Sequence, residues 1–247
     1  MTSVLISRGS AIRVRRLCVK QQFISSTIIG VKTMNLLFIG NSATYVNEIP
    51  QTLSRLAMEL GYEFQTAQLT PGGYTLTQHA DTLTDHGKAV INEIKKGYDA
   101  VILQDNSICI KDEVHQEATV QACELLCKAI RESGAKLYFY VRPPTGKVNY
   151  GYTSLQQCEK LDTLFTQLAE KHGGKCIYVN RAFAEAIWTT DYNLWGEDNA
   201  HTGKLGGYLT VCTFFKAMTG KSPTALSYNG LDETTAQALQ DIADAVI

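Results

Sequence analysis

The feature that most constrains the fold is an alternation of short apolar runs with longer amphipathic segments. The short runs are candidate strands, at 35–39, 63–69, 99–104, 136–141 and 175–179. The longer segments are candidate helices, at 47–61, 75–96 (broken near Asp85), 113–133, 153–172, 203–219 and 233–246. The alternation predicts an α/β fold in which helices cover both faces of a five-stranded parallel sheet, with a flavodoxin-like strand order.

Local signals support these boundaries. The run Ala100-Val101-Ile102-Leu103 is continuously apolar, which is typical of a strand buried on both faces. The first long helix has leucines and an isoleucine at helical spacing, with Asn47 as a possible cap and Pro50 in its first turn. Glycines fall where helices should stop and strands begin, at Gly61, Gly97, Gly134 and Gly173-Gly174.

The chain divides into a basic extension, 1–33, and one domain, 34–247. The 247 residues are 45 % hydrophobic and 19 % charged, which is ordinary for a globular protein with a substantial core. Residues 1–33 contain six basic residues and no acidic one. This composition resembles a transit peptide, but Met34 is also a plausible natural start. The apolar stretch 23–31 is interrupted by polar residues, which argues against a secretory signal.

Charge and cysteine content exclude several classes of function. A net charge of −1 gives no electrostatic case for a nucleic-acid partner, and no apolar run is long enough to span a membrane. Seven cysteines, an odd number, favour reduced thiols and a cytoplasmic location. Cys123 and Cys127 are four residues apart, but no further ligands lie at short spacing, so we expect buried structural cysteines and no metal. No P-loop or Gly-x-Gly-x-x-Gly pattern follows a strand, so no cofactor is predicted.

Three loops that follow predicted strands contain residues suited to acyl transfer. They contain Gly40-Asn41-Ser42, Gly72-Gly73 and Asp105-Asn106-Ser107. In the predicted order these loops lie at one edge of the sheet, so Ser42, Gly73 and Asn106 should converge on one crevice. A serine is a weak nucleophile that needs an adjacent base, and a tetrahedral oxyanion needs fixed N–H donors.

The segment Asp198-Asn199-Ala200-His201 can supply that base. A carboxylate three residues before a histidine can reach the imidazole, fix its tautomer and stabilise the imidazolium. We therefore predict Ser42 as nucleophile, His201 as base and Asp198 as its orienting carboxylate. Backbone amides and the Asn106 side chain would serve as oxyanion donors.

Each of these residues also has an interpretation that involves no catalysis. Ser42 and Asp198 could be helix caps, His201 a surface histidine, and Asn106 a turn residue that bonds its own backbone. Gly72-Gly73 follows Pro71 and is a turn signal in any case, and Gly72 rivals Gly73 for the functional role. Four residues in or beside the loops could shape a substrate pocket or simply pack: Tyr45, Tyr74, Arg142 and Trp195.

Taken in order, the motifs resemble the conserved blocks of the SGNH (GDSL-like) hydrolases. The blocks are Ile39-Gly40-Asn41-Ser42-Ala43-Thr44, Gly72-Gly73, Leu103-Gln104-Asp105-Asn106 and Asp198-Asn199-Ala200-His201. The resemblance covers nearly all of 34–247. It implies a three-layer α/β/α fold and a serine esterase without a metal. It also implies oxyanion donors from the amides of Ser42 and Gly73 and the side chain of Asn106, and substrates such as acetylated sugars, lipids or thioesters.

The sequence departs from the family pattern at three positions. Asn41 stands where aspartate is usual, Gln104 where glycine is usual, and Ser107 where aspartate is common. Two of the three departures lie in or beside the third block, and together they indicate a divergent branch.

Two functions from different classes follow. The first is a serine hydrolase that cleaves a short-chain acyl ester, on a carbohydrate or another small molecule. The alternative is a non-catalytic module on the same fold that binds a carbohydrate or a phosphate group. Binding does not require Asp198 and His201, so their position relative to Ser42 discriminates between the two. The sequence does not determine the oligomeric state.

Overall fold

The computed structural model describes residues 31–246. Its strands form one parallel sheet in the order β2-β1-β3-β4-β5, which confirms the predicted fold class and strand order. The strands are β1 (Lys32–Ile39), β2 (Tyr62–Leu69), β3 (Ala100–Leu103), β4 (Lys136–Val141) and β5 (Lys175–Tyr178).

Helices cover both faces of this sheet, and each predicted helical segment contains at least one of them. They are α1 (Ser42–Tyr45), α2 (Ile49–Met58), α3 (Leu76–Ala80), α4 (Asp85–Ile94), α5 (Glu113–Ser133), α6 (Ser154–His172), α7 (Val179–Thr189), α8 (Lys204–Thr219) and α9 (Glu233–Ala245). The segment predicted at 75–96 is divided into α3 and α4, as the break near Asp85 indicated. Helix α7 was not predicted, because it follows β5 at Tyr178 with no intervening glycine and no side-chain cap.

The alternating side chains of the strands separate the core into two layers. Leu36 and Phe38 of β1 pack with residues of α2, α7, α8 and α9. Leu37 and Ile39 point to the other face and pack with residues of α3, α4, α5 and α6. The sheet is therefore buried on both sides, giving the three-layer α/β/α arrangement.

The ends of the helices follow the capping chemistry of the sequence. Thr75 and Thr153 each form a reciprocal capping box with the glutamine three residues later. Gly134 and Gly173 adopt left-handed conformations, with φ of 80° and 70°, where α5 and α6 end. These stops let the chain turn back into β4 and β5. Because all the strands are parallel, the loops after β1, β2, β3 and β4 emerge at one edge of the sheet.

The first strand begins earlier than the predicted strand at 35–39. Strand β1 begins at Lys32, two residues before Met34, because Lys32 and Thr33 still pair with Tyr62 and Glu63 of β2. The rest of the predicted extension, residues 1–30, lies outside the described residues.

The described part of the chain also bears on the classes of site considered above. Between residues 31 and 246 no helix combines the length and apolarity that a membrane span requires. In the same residues no three His, Cys, Asp or Glu side chains are grouped closely enough to hold a metal ion. Cys123 and Cys127 are buried and unpaired, as are most of the described cysteines.

Candidate active site

The loop after β1 presents Ser42 as the first residue of α1. Asn41 caps this helix, because its side-chain oxygen accepts a hydrogen bond from the Ala43 amide at 3.0 Å. Its side-chain nitrogen donates to the carbonyl oxygen of Tyr74 at 2.8 Å. An ionised aspartate could not donate this second bond, so asparagine at position 41 ties the serine loop to the loop after β2.

Ser42, His201 and Asp198 form a continuous hydrogen-bonded chain. Ser42 Oγ lies 2.8 Å from His201 Nε2, and His201 Nδ1 lies 2.6 Å from Asp198 Oδ2. Because a carboxylate accepts hydrogen bonds, Nδ1 carries the proton of the neutral ring. Nε2 is then left to accept the hydroxyl proton of Ser42. The residues predicted from sequence therefore meet, although 159 positions separate Ser42 from His201.

Asp198 is held in its ionised form by local hydrogen bonds. Its Oδ1 accepts from the backbone amides of Ala200 and His201 at 2.9 and 3.0 Å. The amide and the ring of His201, followed by the Ala200 amide, keep the pKa of Asp198 well below its usual range. The carboxylate side chain is 51 % exposed, so these bonds rather than burial fix its charge and orientation.

The loop after β4 supports the segment that contains Asp198 and His201. The Gly146 amide donates to the Asn199 carbonyl at 2.9 Å, and Lys147 Nζ donates to the Asp198 carbonyl at 3.1 Å. Trp195 Nε1 donates to the Pro144 carbonyl at 2.9 Å. A Cβ atom on Gly146 would lie 2.6 Å from the Trp195 ring, so only glycine allows this close approach.

Gly73 and Asn106, the predicted oxyanion residues, are in direct contact. The side-chain amide of Asn106 donates to the Gly73 carbonyl at 2.9 Å, and its oxygen accepts from the Ile108 amide at 3.1 Å. Gly73 has φ +76°, a left-handed conformation that favours glycine. Both residues are connected to the serine loop, because Tyr74, next to Gly73, accepts the bond from Asn41.

Gln104 and Asp105, which precede Asn106, were not predicted as site residues, yet both are buried beneath the loops. Gln104 Oε1 accepts from the Asn41 amide at 2.9 Å and from Thr44 Oγ1 at 3.0 Å. It therefore holds the backbone amide that precedes Ser42 and the side chain of Thr44 that follows it. The departure from the family glycine at 104 marked this residue, but the sequence did not indicate its partners.

Asp105 connects three elements at the same edge. Its carboxylate accepts from the amides of Leu76 and Asn106 at 2.8 and 2.7 Å, and from Thr119 Oγ1 of α5 at 2.7 Å. Burial raises the pKa of the Asp105 carboxyl, while these donors and the nearby Arg142 act in the opposite direction. The position of Asn106 is thus set by a buried carboxylate.

A hydrogen-bonded pair of histidines, His79 and His86, supports the serine loop. His79 is fully buried, and its Nε2 lies 2.8 Å from the Gly40 carbonyl oxygen. Its Nδ1 lies 2.9 Å from His86 Nε2. The carbonyl can only accept, so Nε2 of His79 carries the proton and Nδ1 accepts from His86. Burial, opposed by the bond to Gly40, lowers the pKa of His79 to about 4.

The four residues considered as pocket or packing residues differ in exposure. Trp195 packs on Phe183, Tyr74 contacts the rings of His79 and His86, and Arg142 is buried. Tyr45 is 43 % exposed, and its hydroxyl lies beside Gly72. Tyr45 is therefore the most exposed of the four, while Tyr74 and Trp195 are partly buried.

Solved structures provide the comparison for this arrangement, since no family model and no curated protein matches the sequence. A DUF4886 family protein from Bacteroides uniformis ATCC 8492 has TM-score 0.73 at 19 % identity, over 86 % of this chain and 94 % of that one. A candidate SGNH hydrolase from Slackia heliotrinireducens has TM-score 0.63 at 21 % identity, over 76 % of this chain and all of that one. An acetylxylan esterase from Geobacillus stearothermophilus has TM-score 0.55 at 16 % identity, over 77 % and 97 % of the two chains. Identities this low carry only the architecture, so the conclusion is that this chain has the SGNH hydrolase fold.

Proposed function

We propose that this protein is a serine hydrolase that cleaves a short-chain acyl ester of a carbohydrate or similar small molecule. The observation that carries the proposal is the hydrogen-bonded chain from Ser42 through His201 to Asp198, with distances of 2.8 and 2.6 Å. A binding module would need a polar crevice, but not a base aligned on a serine hydroxyl by an ionised carboxylate. The geometry thus favours the enzyme over the non-catalytic alternative.

The first half-reaction would acylate the serine. Ser42 Oγ attacks the ester carbonyl carbon while its proton passes to His201 Nε2. Asp198 stabilises the imidazolium that forms. The carbonyl electron pair moves onto oxygen, where the amides of Ser42 and Gly73 and the remaining N–H of Asn106 would donate hydrogen bonds. The tetrahedral intermediate then expels the alcohol, which takes its proton from His201 Nε2.

The second half-reaction would release the acid. Water takes the place of the alcohol, and His201 Nε2 removes a proton from it as its oxygen attacks the acyl carbon. Collapse of the second tetrahedral intermediate breaks the bond to Ser42 Oγ, which recovers its proton from His201. The enzyme returns to its starting state, and no cofactor is needed in this scheme.

The acyl and alcohol parts of the proposal rest on the solved structures that share the fold and on exposed aromatic rings near the site. Among the solved structures with this fold are acetylxylan esterases from Geobacillus stearothermophilus. The exposed aromatic rings of Tyr45, at the end of α1, and of Tyr150, in the loop after β4, are candidates for contacting a saccharide, because aromatic rings commonly line sugar sites. We therefore propose an acetyl group on a saccharide as the first substrate to test.

The test compares hydrolysis of p-nitrophenyl acetate by wild type and Ser42→Ala. We expect the variant to lose nearly all turnover while its circular dichroism spectrum and unfolding midpoint stay unchanged. A fluorophosphonate probe should label wild type at Ser42, detected by peptide mass, and should not label the variant. Equal rates in both proteins, or a folded wild type that neither reacts with the probe nor turns over any of a broad panel of esters, would contradict the proposal. Acetylated xylooligosaccharides in the panel then test the alcohol.

A further inference from the structure

The backbone between α1 and α2 has an unusual conformation. Asn47 and Glu48 are consecutive residues in the left-handed region, with φ of 59° and 50°. Asparagine tolerates this region better than most residues, whereas glutamate normally pays a steric cost there. Such a conformation persists only where surrounding contacts determine it, and such outliers concentrate at functional sites.

The contacts that determine it come from the Asn47 side chain. Its amide nitrogen donates to the Thr202 carbonyl at 2.7 Å and to Thr202 Oγ1 at 2.8 Å. The Gly203 carbonyl accepts a longer bond from the same nitrogen, at 3.3 Å. A Cβ atom on Gly207 of α8 would lie 2.8 Å from Asn47 Cβ. The absence of a side chain at Gly207, near the start of α8, therefore leaves the space that the Asn47 side chain occupies.

These bonds join the two segments that contain the proposed nucleophile and base. Asn47 lies five residues after Ser42, and Thr202 immediately follows His201. The side chains of Asp198 and His201 are 51 % and 38 % exposed, so burial alone does not fix their position. Asn47 is a direct hydrogen-bonded link between the α1 segment and the His201 loop.

We propose that Asn47 is a positioning residue, which sets the 2.8 Å approach of His201 Nε2 to Ser42 Oγ. The proposal rests on the function proposed above. The left-handed turn at Asn47 and Glu48 directs the amide across the gap between the two segments. Without the amide, the His201 loop can move relative to Ser42, and a misplacement of about 1 Å can cost about a hundredfold in rate.

Two variants separate the side-chain amide from the backbone conformation. Asn47→Gly accepts a φ of 59° without strain and removes the whole side chain, both its amide and its contact with Gly207. Asn47→Asp keeps the size and the tolerance of the left-handed region, but a carboxylate cannot donate to the Thr202 carbonyl. Asn229→Gly is the matched control, since Asn229 has φ 51° and its side chain bonds Arg55 rather than the His201 loop.

We expect Asn47→Gly to lower kcat for p-nitrophenyl acetate by about 10- to 100-fold with little change in KM, and Asn47→Asp to lower it further. The rate at which a fluorophosphonate labels Ser42 should fall in parallel, because the same base activates the hydroxyl. Asn229→Gly should keep the wild-type rates. A purely structural role of Asn47 would instead shift the unfolding midpoint and leave both rates, per folded molecule, unchanged.

The proposal is overturned if folded Asn47→Gly turns over and labels as wild type does. Any destabilised variant is assayed at a temperature below its unfolding midpoint. A loss of rate that disappears after normalisation to the folded fraction also overturns the proposal. If wild type itself is neither labelled nor active, and so behaves as Ser42→Ala is expected to behave, the proposed function is refuted and this proposal with it. The wild-type measurement distinguishes the two failures.

Discussion

Acid should destabilise this protein through His79, the buried histidine beneath the serine loop. Burial lowers the pKa of His79 to about 4 from 6.5. Between these values the unfolded chain binds a proton that the folded protein does not bind. Stability from this group is therefore fully present above about pH 6.5 and is lost as the pH falls towards 4. The difference of about 2.5 between the two pKa values, at about 1.4 kcal/mol per pKa unit, corresponds to about 3.5 kcal/mol in total, of which about 3 kcal/mol is lost between pH 7 and pH 4.

His79→Gln isolates this contribution. The glutamine amide can still donate to the Gly40 carbonyl, but the side chain does not titrate. We expect the free energy of unfolding of wild type to fall by about 3 kcal/mol relative to the variant between pH 7 and pH 4. The free energies of unfolding of both proteins are measured by urea unfolding, followed by circular dichroism, at pH 4, 5, 6 and 7. Subtracting one from the other cancels the contribution of the titrating groups that both proteins contain.

The direct measurement is an NMR titration of the His79 ring, with an expected midpoint near pH 4. A midpoint close to 6.5, or a difference between wild type and variant that stays constant with pH, would refute the reasoning. Either result would mean that the pocket accommodates the imidazolium, and that burial does not control the charge of His79.

Three further predictions concern the loops around Ser42. In Asp198→Asn the amide cannot hold the Nδ1 proton of His201 as the carboxylate does, so we expect kcat for p-nitrophenyl acetate to fall by about 10³- to 10⁴-fold; a loss below tenfold would argue against the orienting role. In Gln104→Leu the Asn41 amide and the Thr44 hydroxyl lose their buried acceptor, so we expect urea unfolding to show that the free energy of unfolding falls by about 2–5 kcal/mol. Unchanged stability would show that the loop rearranges freely. In Gly146→Ala the new methyl group displaces the Trp195 ring, which packs on Phe183, so we expect kcat to fall about tenfold and urea unfolding to show a loss of about 1–3 kcal/mol. Wild-type turnover of the folded variant would separate this contact from the chemistry.

The fold could be predicted because its determinants are local. Apolar runs define strands, and glycines in left-handed conformation end α5 and α6 where the chain must turn into β4 and β5. The errors lie where pairing or packing overrides local pattern. Strand β1 extends back to Lys32 because the β2 backbone continues to offer partners there. Helix α7 has buried residues at helical spacing, Val179, Ala182, Phe183 and Ala186, but it follows β5 without the turn signal that would have separated them.

The sequence predicts only those parts of the candidate site that depend on residue type, on short spacing along the chain or on position at the end of a strand. Asp198 and His201 are three residues apart, so their contact follows from the sequence alone. Ser42 follows a strand, so its edge of the sheet was predictable, but its hydrogen bond to His201 depends on the tertiary structure. Asn47 and His79 gave no such signal. Their partners lie 155 and 39 residues away, and what they bond is mainly backbone, which no side-chain pattern encodes.

Gln104 illustrates how a departure from a family pattern can be accommodated by its neighbours. A glycine at this position has no side chain to accept a bond from the Asn41 amide, whereas Gln104 occupies that space and accepts it. The same oxygen fills the space beside Gly40, where a Cβ atom would lie only 2.6 Å away. Gln104 thus requires glycine at position 40 and gains a second donor from Thr44. These residues form one unit, and changing Gln104 alone to the family glycine should leave a cavity and an unpaired amide next to Ser42.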